Sequence, residues 1–134
     1  MRAVLIRLTY LVTCLLAGAC SSHAYYNEAM RYMELTTQVL IEEGMCADKA
    51  DCSRKEMSFW SAGGWNIGPL TGGGVSIEVY KVSSVETARK IIEHCRSLHS
   101  QIPDVPVSVT VYSNAHIDNL HPGTATVVMH EKIS

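Results

Sequence analysis

Apolar residues recur at helical intervals in two stretches of this chain and alternate with polar ones in the segments between. Tyr26, Met30, Met33, Thr37, Leu40, Ile41 and Gly44 share one side of a helical repeat, with Glu28, Arg31, Glu34, Gln38 and Glu42 between them. The spacing predicts an amphipathic helix opened by Asn27 as N-cap and closed by Gly44. Its two methionines read as core filler, the usual role of a flexible thioether on an apolar stripe. A second helix is marked by Val85, Ala88, Ile91, Ile92, Cys95, Leu98 and Ile102, with Ser83 and Glu86 as a capping box and Pro103 as its stop.

The alternating segments predict strands. Lys55 to Ser61 reads as one, broken by Ala62-Gly63-Gly64 and resumed over Trp65-Asn66-Ile67. Gly68-Pro69 and Gly72-Gly73-Gly74 mark a flexible turn. Val75 to Val82 alternates cleanly, with Val75, Ile77 and Val79 inward. Pro106 to Tyr112 places Val107, Val109 and Val111 on one face, and Thr124 to His130 closes the set. The order α-β-β-α-β-β predicts an α+β fold: a two-layer sandwich with two helices packed on one face of a four-stranded, mainly antiparallel sheet. The strand–helix–strand piece from Val75 to Tyr112 leaves a parallel pairing open.

The 134 residues allow one domain, and the 47% hydrophobic content is that of a globular chain. A net charge of −2 gives no basic surface with which to displace counterions from nucleic acid, so no nucleic-acid partner is expected.

The N-terminus is organised differently from the rest. Arg2 and Arg7 precede a short apolar run from Leu8 to Cys20, below the ~20 residues of a spanning helix and in the pattern of an export signal. The following Ala17-Gly18-Ala19-Cys20 resembles the lipobox of small bacterial lipoproteins, with Ala17 where that family usually carries Leu. The resemblance covers residues 1–22 only. It implies removal of residues 1–19, acylation of Cys20, a lipidated tether over 20–26, and a single domain over 27–134. It also implies a lipid-anchored, periplasm-facing place in the cell envelope. Ser21 after the cysteine, where inner-membrane members carry Asp, favours the outer membrane. Ordinary signal peptidase cutting after Ala19 or Ala24 is the other reading of the same small residues. Loss of Arg2 and Arg7 leaves nine basic residues against 13 acidic ones, a mature charge of −4.

Cysteine use fits an oxidising compartment. Cys46 and Cys52 flank a short polar loop, Ala47 to Asp51, and are expected to form a disulfide. Their spacing matches neither a redox pair nor a zinc knuckle. Cys95 falls on the apolar face of the second helix and reads as a buried thiol.

Candidate chemistry is sparse. The glycines run into a strand rather than a helix, so a phosphate loop is not expected. His116, Asp118 and His121, with His130 on the neighbouring strand, form a weak candidate metal or small-ligand site. His94 is expected on a solvent face, and His99 at a helix end where an imidazolium suits the dipole. No nucleophile elbow, zincin helix or Ser-x-x-Lys set is present, which leaves a small hydrolase with dispersed residues as a lesser alternative. No cofactor is implied. Trp60, Tyr80 and Tyr112 fall in the outward phase of their strands if Phe59, Val79 and Val111 point inward, and Trp65 lies near the glycine bend. Together they suggest an aromatic patch for a protein partner in the envelope. The leading expectation is therefore a lipid-anchored interaction module, of accessory or of immunity and inhibitor type.

Overall fold

A computed structural model of the chain describes residues 25–67, 70–115 and 126–134. Three helices are seen: α1 (Tyr26–Glu42), the short α2 (Lys49–Arg54) and α3 (Val85–His99). The strands are β1 (Ser58–Ile67), β2 (Leu70–Val79), β3 (Val107–Tyr112) and β4 (Val127–Ile133), in the spatial order β1-β2-β3-β4. The fold is α+β with a mixed sheet. β1–β2 and β3–β4 are antiparallel, but the central β2–β3 pair is parallel. Two of the three pairings are thus antiparallel, as expected, and the parallel pairing left open for Val75 to Tyr112 is the central one. α3 returns the chain to the end where β2 began, which a hairpin cannot do.

α2 is an element the sequence pattern hides. Ala47 to Asp51 reads as a polar loop, yet Asp48 caps a turn of helix by accepting from the Asp51 amide at 2.8 Å. Asp51 accepts in turn from the Ala47 amide and lies against Lys55 and Arg54. Lys55 above all, then the Ala47 amide, hold the Asp51 carboxyl down at about 2. Cys46 and Cys52 bracket this turn as a buried disulfide, with Cα atoms 5.2 Å apart.

The buried face of α1 is rotated from the one its methionines suggest. Ala29, Tyr32, Thr36, Val39 and Leu40 are buried, whereas Tyr26 and Met30 are 46% and 41% exposed. Tyr32 and Thr36 are polar enough to disguise the stripe, yet their bulk fills the core. Nor is Asn27 the cap. The helix starts at Tyr26 after a left-handed Tyr25, with no side-chain cap. In α3 the cap is Ser84, accepting from the Thr87 amide, one residue beyond the expected Ser83. His94 is exposed as expected, but His99 is buried against the core and its Nε2 has no hydrogen-bond partner among the described residues.

Gly72-Gly73-Gly74 do not make a flexible turn, and Gly68-Pro69 lie outside the described residues. β1 runs unbroken through Gly63-Gly64, and β2 already includes Gly72-Gly73-Gly74. Gly63 lies opposite Gly74 and Gly64 opposite Gly73. At Gly73 and Gly74 a side chain is excluded because a neighbouring backbone comes too close. A Cβ on Gly74 would stand 2.5 Å from the Pro106 carbonyl oxygen.

The core lies between the helices and one row of the sheet: Val75, Ile77 and Val79 from β2, Val107, Val109 and Val111 from β3, with Ile91, Ile92 and Cys95 from α3. Glu131 of β4, which is paired with Val109, reaches Arg96 of α3 from the same side. Cys95 is free and fully buried, and burial pushes its thiol up to about 12. The expected result with a thiol reagent at pH 8 is no labelling of Cys95 in the native protein and full labelling of Cys95 once it is denatured. Reaction before unfolding would place Cys95 at the surface.

Candidate interaction surface on the sheet

The strand registers sort the remaining sheet residues into rows on the face away from the core. One row runs Phe59, Glu78, Thr110, His130 across β1, β2, β3 and β4. The next runs Ser61, Ser76, Ser108, Lys132 in the same strand order. With strands about 4.8 Å apart, each row spans about 14 Å. Beyond the first row lie Tyr80, just past the end of β2, and Tyr112, the last residue of β3.

The tyrosine rings stack with centroids 4.7 Å apart and planes 9° from parallel. Phe59 meets Tyr80 edge-on at 5.7 Å. The Tyr80 hydroxyl donates to Glu78 Oε2 at 2.9 Å, and the Thr110 hydroxyl lies 2.8 Å from Nδ1 of His130. Tyr80 is buried, Phe59, Glu78, Thr110 and Tyr112 are half-buried, and His130 and Lys132 are exposed. None of these belongs to the apolar cluster between the helices and the sheet. The small serines of the second row leave a hollow of about 100 Å³ beside Phe59 and Glu78.

Electrostatically the face is graded. The Glu78 carboxylate stands on β2 and the Lys132 ammonium on the β4 edge. Burial, then the hydrogen bond to Glu78, raises Tyr80 well above the ordinary phenol range. Burial and the Glu78 charge raise Tyr112 as well. The same Glu78 carboxylate raises both phenols, so Glu78→Gln should lower both ionisations together. Alkaline titration followed at the phenolate absorbance checks this. Two tyrosines should ionise earlier in the variant, and an unchanged curve would detach Glu78 from them.

The sequence-predicted site residues fare unequally. Tyr80 and Tyr112 are brought together. Trp60 is not with them, because it pairs with Ile77 and so belongs to the core-facing row, where its ring meets Tyr26 of α1 edge-on at 5.4 Å. Phe59 takes the outward position instead. The condition that Phe59 points inward does not hold, and buried Met57 lies outside β1, so it does not set the strand's phase. Trp65 is placed by backbone register alone, opposite Gly72. The export segment, Cys20, His116, Asp118 and His121 lie outside the described residues. Among the described residues no group of three His, Cys, Asp or Glu is placed to hold a metal ion, and no helix is long and apolar enough to cross a membrane. No family model, no curated protein and no solved structure matches the chain.

Sequence reasoning passed over Glu78, Thr110 and the serines, and considered His130 only beside His116 and His121, not as part of this row. The alternation of β2 and β3 already turned Glu78, Ser108 and Thr110 outward. The missing signal was the interstrand register, which alone aligns four separated residues into a row.

Proposed function

We propose that this chain is a lipid-anchored module of the bacterial cell envelope that binds a protein partner through the outer face of its sheet. The finer architecture in this reading is a two-layer one, with helices on one face and the other left for the partner. The observation that carries it is the block formed by stacked Tyr80 and Tyr112, half-buried Glu78 and the hollow above the serines. Aromatic rings beside a carboxylate suit a cationic side chain. An arginine lying over Ser61 and Ser76 could pair with Glu78 while its planar guanidinium packs on an aromatic ring. The mature charge of −4 favours approach of a basic partner, as an inhibitor or immunity protein for a basic exported protein would require.

Export is supported by the buried disulfide, a bond typical of oxidising compartments. The lipobox-like Ala17 to Cys20 supports the anchor, and Ser21 the outer membrane.

The test is capture from envelope extracts by the full-length chain, compared with Tyr112→Ala, Glu78→Lys and, on exposed α3, Arg89→Ala. A partner that uses this face is held by wild type and by Arg89→Ala and weakened at least roughly tenfold by either sheet variant, the size of an interface anchor. Melting temperatures show whether the sheet variants remain folded. Equal capture by folded variants of all three kinds would overturn the proposal.

A further inference from the structure

Three exposed apolar residues on the other side of the molecule lie together. Tyr26, Met30 and Trp60 are 46%, 41% and 37% exposed, an unusual degree for large apolar side chains. Tyr26 and Met30 lie one turn apart on α1, and the Tyr26 ring rests edge-on against Trp60. Met30 continues into a cleft of about 420 Å³ between α1, α2 and β1, lined by Met33, Thr37 and Ser58 and rimmed by Arg31 and Lys49. Trp60 belongs to the row paired with Ile77, so the patch lies on the helix side and away from Glu78 and Tyr112.

We propose that Tyr26, Met30 and Trp60 are the seat of the domain on a lipid bilayer, inserting into the interfacial zone beneath the headgroups. This rests on the reading of Cys20 as the acylated residue. Five residues separate Cys20 from Tyr26, a reach of at most about 22 Å when fully extended. A domain of about 100 residues has a radius of gyration of about 13 Å, so its far side cannot be turned onto the membrane by so short a tether. The surface nearest the anchor is the one that carries the patch. Its chemistry is also that of the interface. Tyr and Trp have apolar bodies with polar tips and concentrate at headgroup level, while Arg31 at the cleft rim suits a lipid phosphate and Lys49 beside it is paired with Glu34 at 2.6 Å. Seated this way, the domain turns the outer rows of its sheet away from the lipid.

The experiment uses the full chain expressed with its signal, purified with its lipid and reconstituted into phosphatidylethanolamine–phosphatidylglycerol vesicles. Some vesicles carry lipids brominated near the headgroup end of the acyl chains, which quench tryptophan on contact. The chain has two tryptophans. Trp65→Phe, which keeps Trp60, should lose emission in brominated vesicles relative to plain ones. Trp60→Phe should lose none, and wild type lies between. Radiolabelled palmitate incorporation, with Cys20→Ser as control, reports the anchor separately. Label on Cys20 with Trp60 unquenched overturns the seat and leaves the anchor standing. No label on Cys20 overturns the anchor and the seat with it. An unquenched Trp60 in a dimer that Trp60→Ala separates would assign the patch to a second copy instead. If Trp65→Phe fails to fold, loss of the wild-type quenching in Trp60→Phe carries the same decision.

Discussion

Replacing Cys46 and Cys52 together by alanine is expected to lower the melting temperature by about 10–15 °C. The bond joins residues six apart in sequence. Closing so short a ring restricts the unfolded chain by roughly 2–2.5 kcal/mol on the chain-entropy account, and a domain of this size loses about 4–8 °C per kcal/mol. Both sulfurs sit in the buried core, so the variant also gives up packing that a surface bridge would not provide. α2 should suffer first. It has six residues, too few to be helical alone, and depends on the bridge and on the contacts of Asp51. Calorimetry of the double variant, beside wild type with and without reductant, checks the prediction. A change of only a degree or two in both would mean that α2 holds itself in place.

Gly73→Ala should be the most damaging of the glycine substitutions, costing at least roughly 2 kcal/mol, whereas Gly63→Ala should be close to neutral. The two glycines sit on neighbouring strands, and the contrast comes from geometry. Gly73 has φ +112°, a conformation L residues rarely adopt, and a Cβ there would stand 2.1 Å from the Gly63 carbonyl oxygen. A Cβ on Gly63 would meet nothing within 4 Å. Denaturant titration of the two single variants decides it. Equal stability would mean that the hairpin does not hold its backbones at this distance.

The comparison explains what the sequence made legible. Strand alternation was readable wherever valines and isoleucines mark it, so the inward row of β2 and β3 was found directly. α3 was equally plain, apart from a one-residue shift of its cap. What escaped was whatever depended on a partner far away in the chain. The glycine tracts look like a loop because their compactness comes from two backbones meeting, with Pro106 close behind Gly74. α1 was found but turned on its axis, since Tyr32 and Thr36 are buried although nominally polar, while Met30 is exposed although apolar. Likewise Phe59 and Trp60 are adjacent aromatics, and only the pairing with Glu78 and Ile77 tells which of them faces out. Of the sheet surface, Tyr80 and Tyr112 were legible one at a time. The row that unites Phe59, Glu78, Thr110 and His130 exists only once four strands are in register.

The solitary thiol inside α3 has a practical consequence. Cys95 is fully buried, and its high pKa keeps it unreactive in place, so a labelling reagent can reach it only when the domain opens. At saturating reagent the labelling rate becomes the opening rate itself. The chain therefore contains its own stopwatch, one that runs equally well in detergent, on vesicles or in whole cells, where calorimetry is blind. A bound partner that steadies the fold would slow that stopwatch before anyone knew what the partner was.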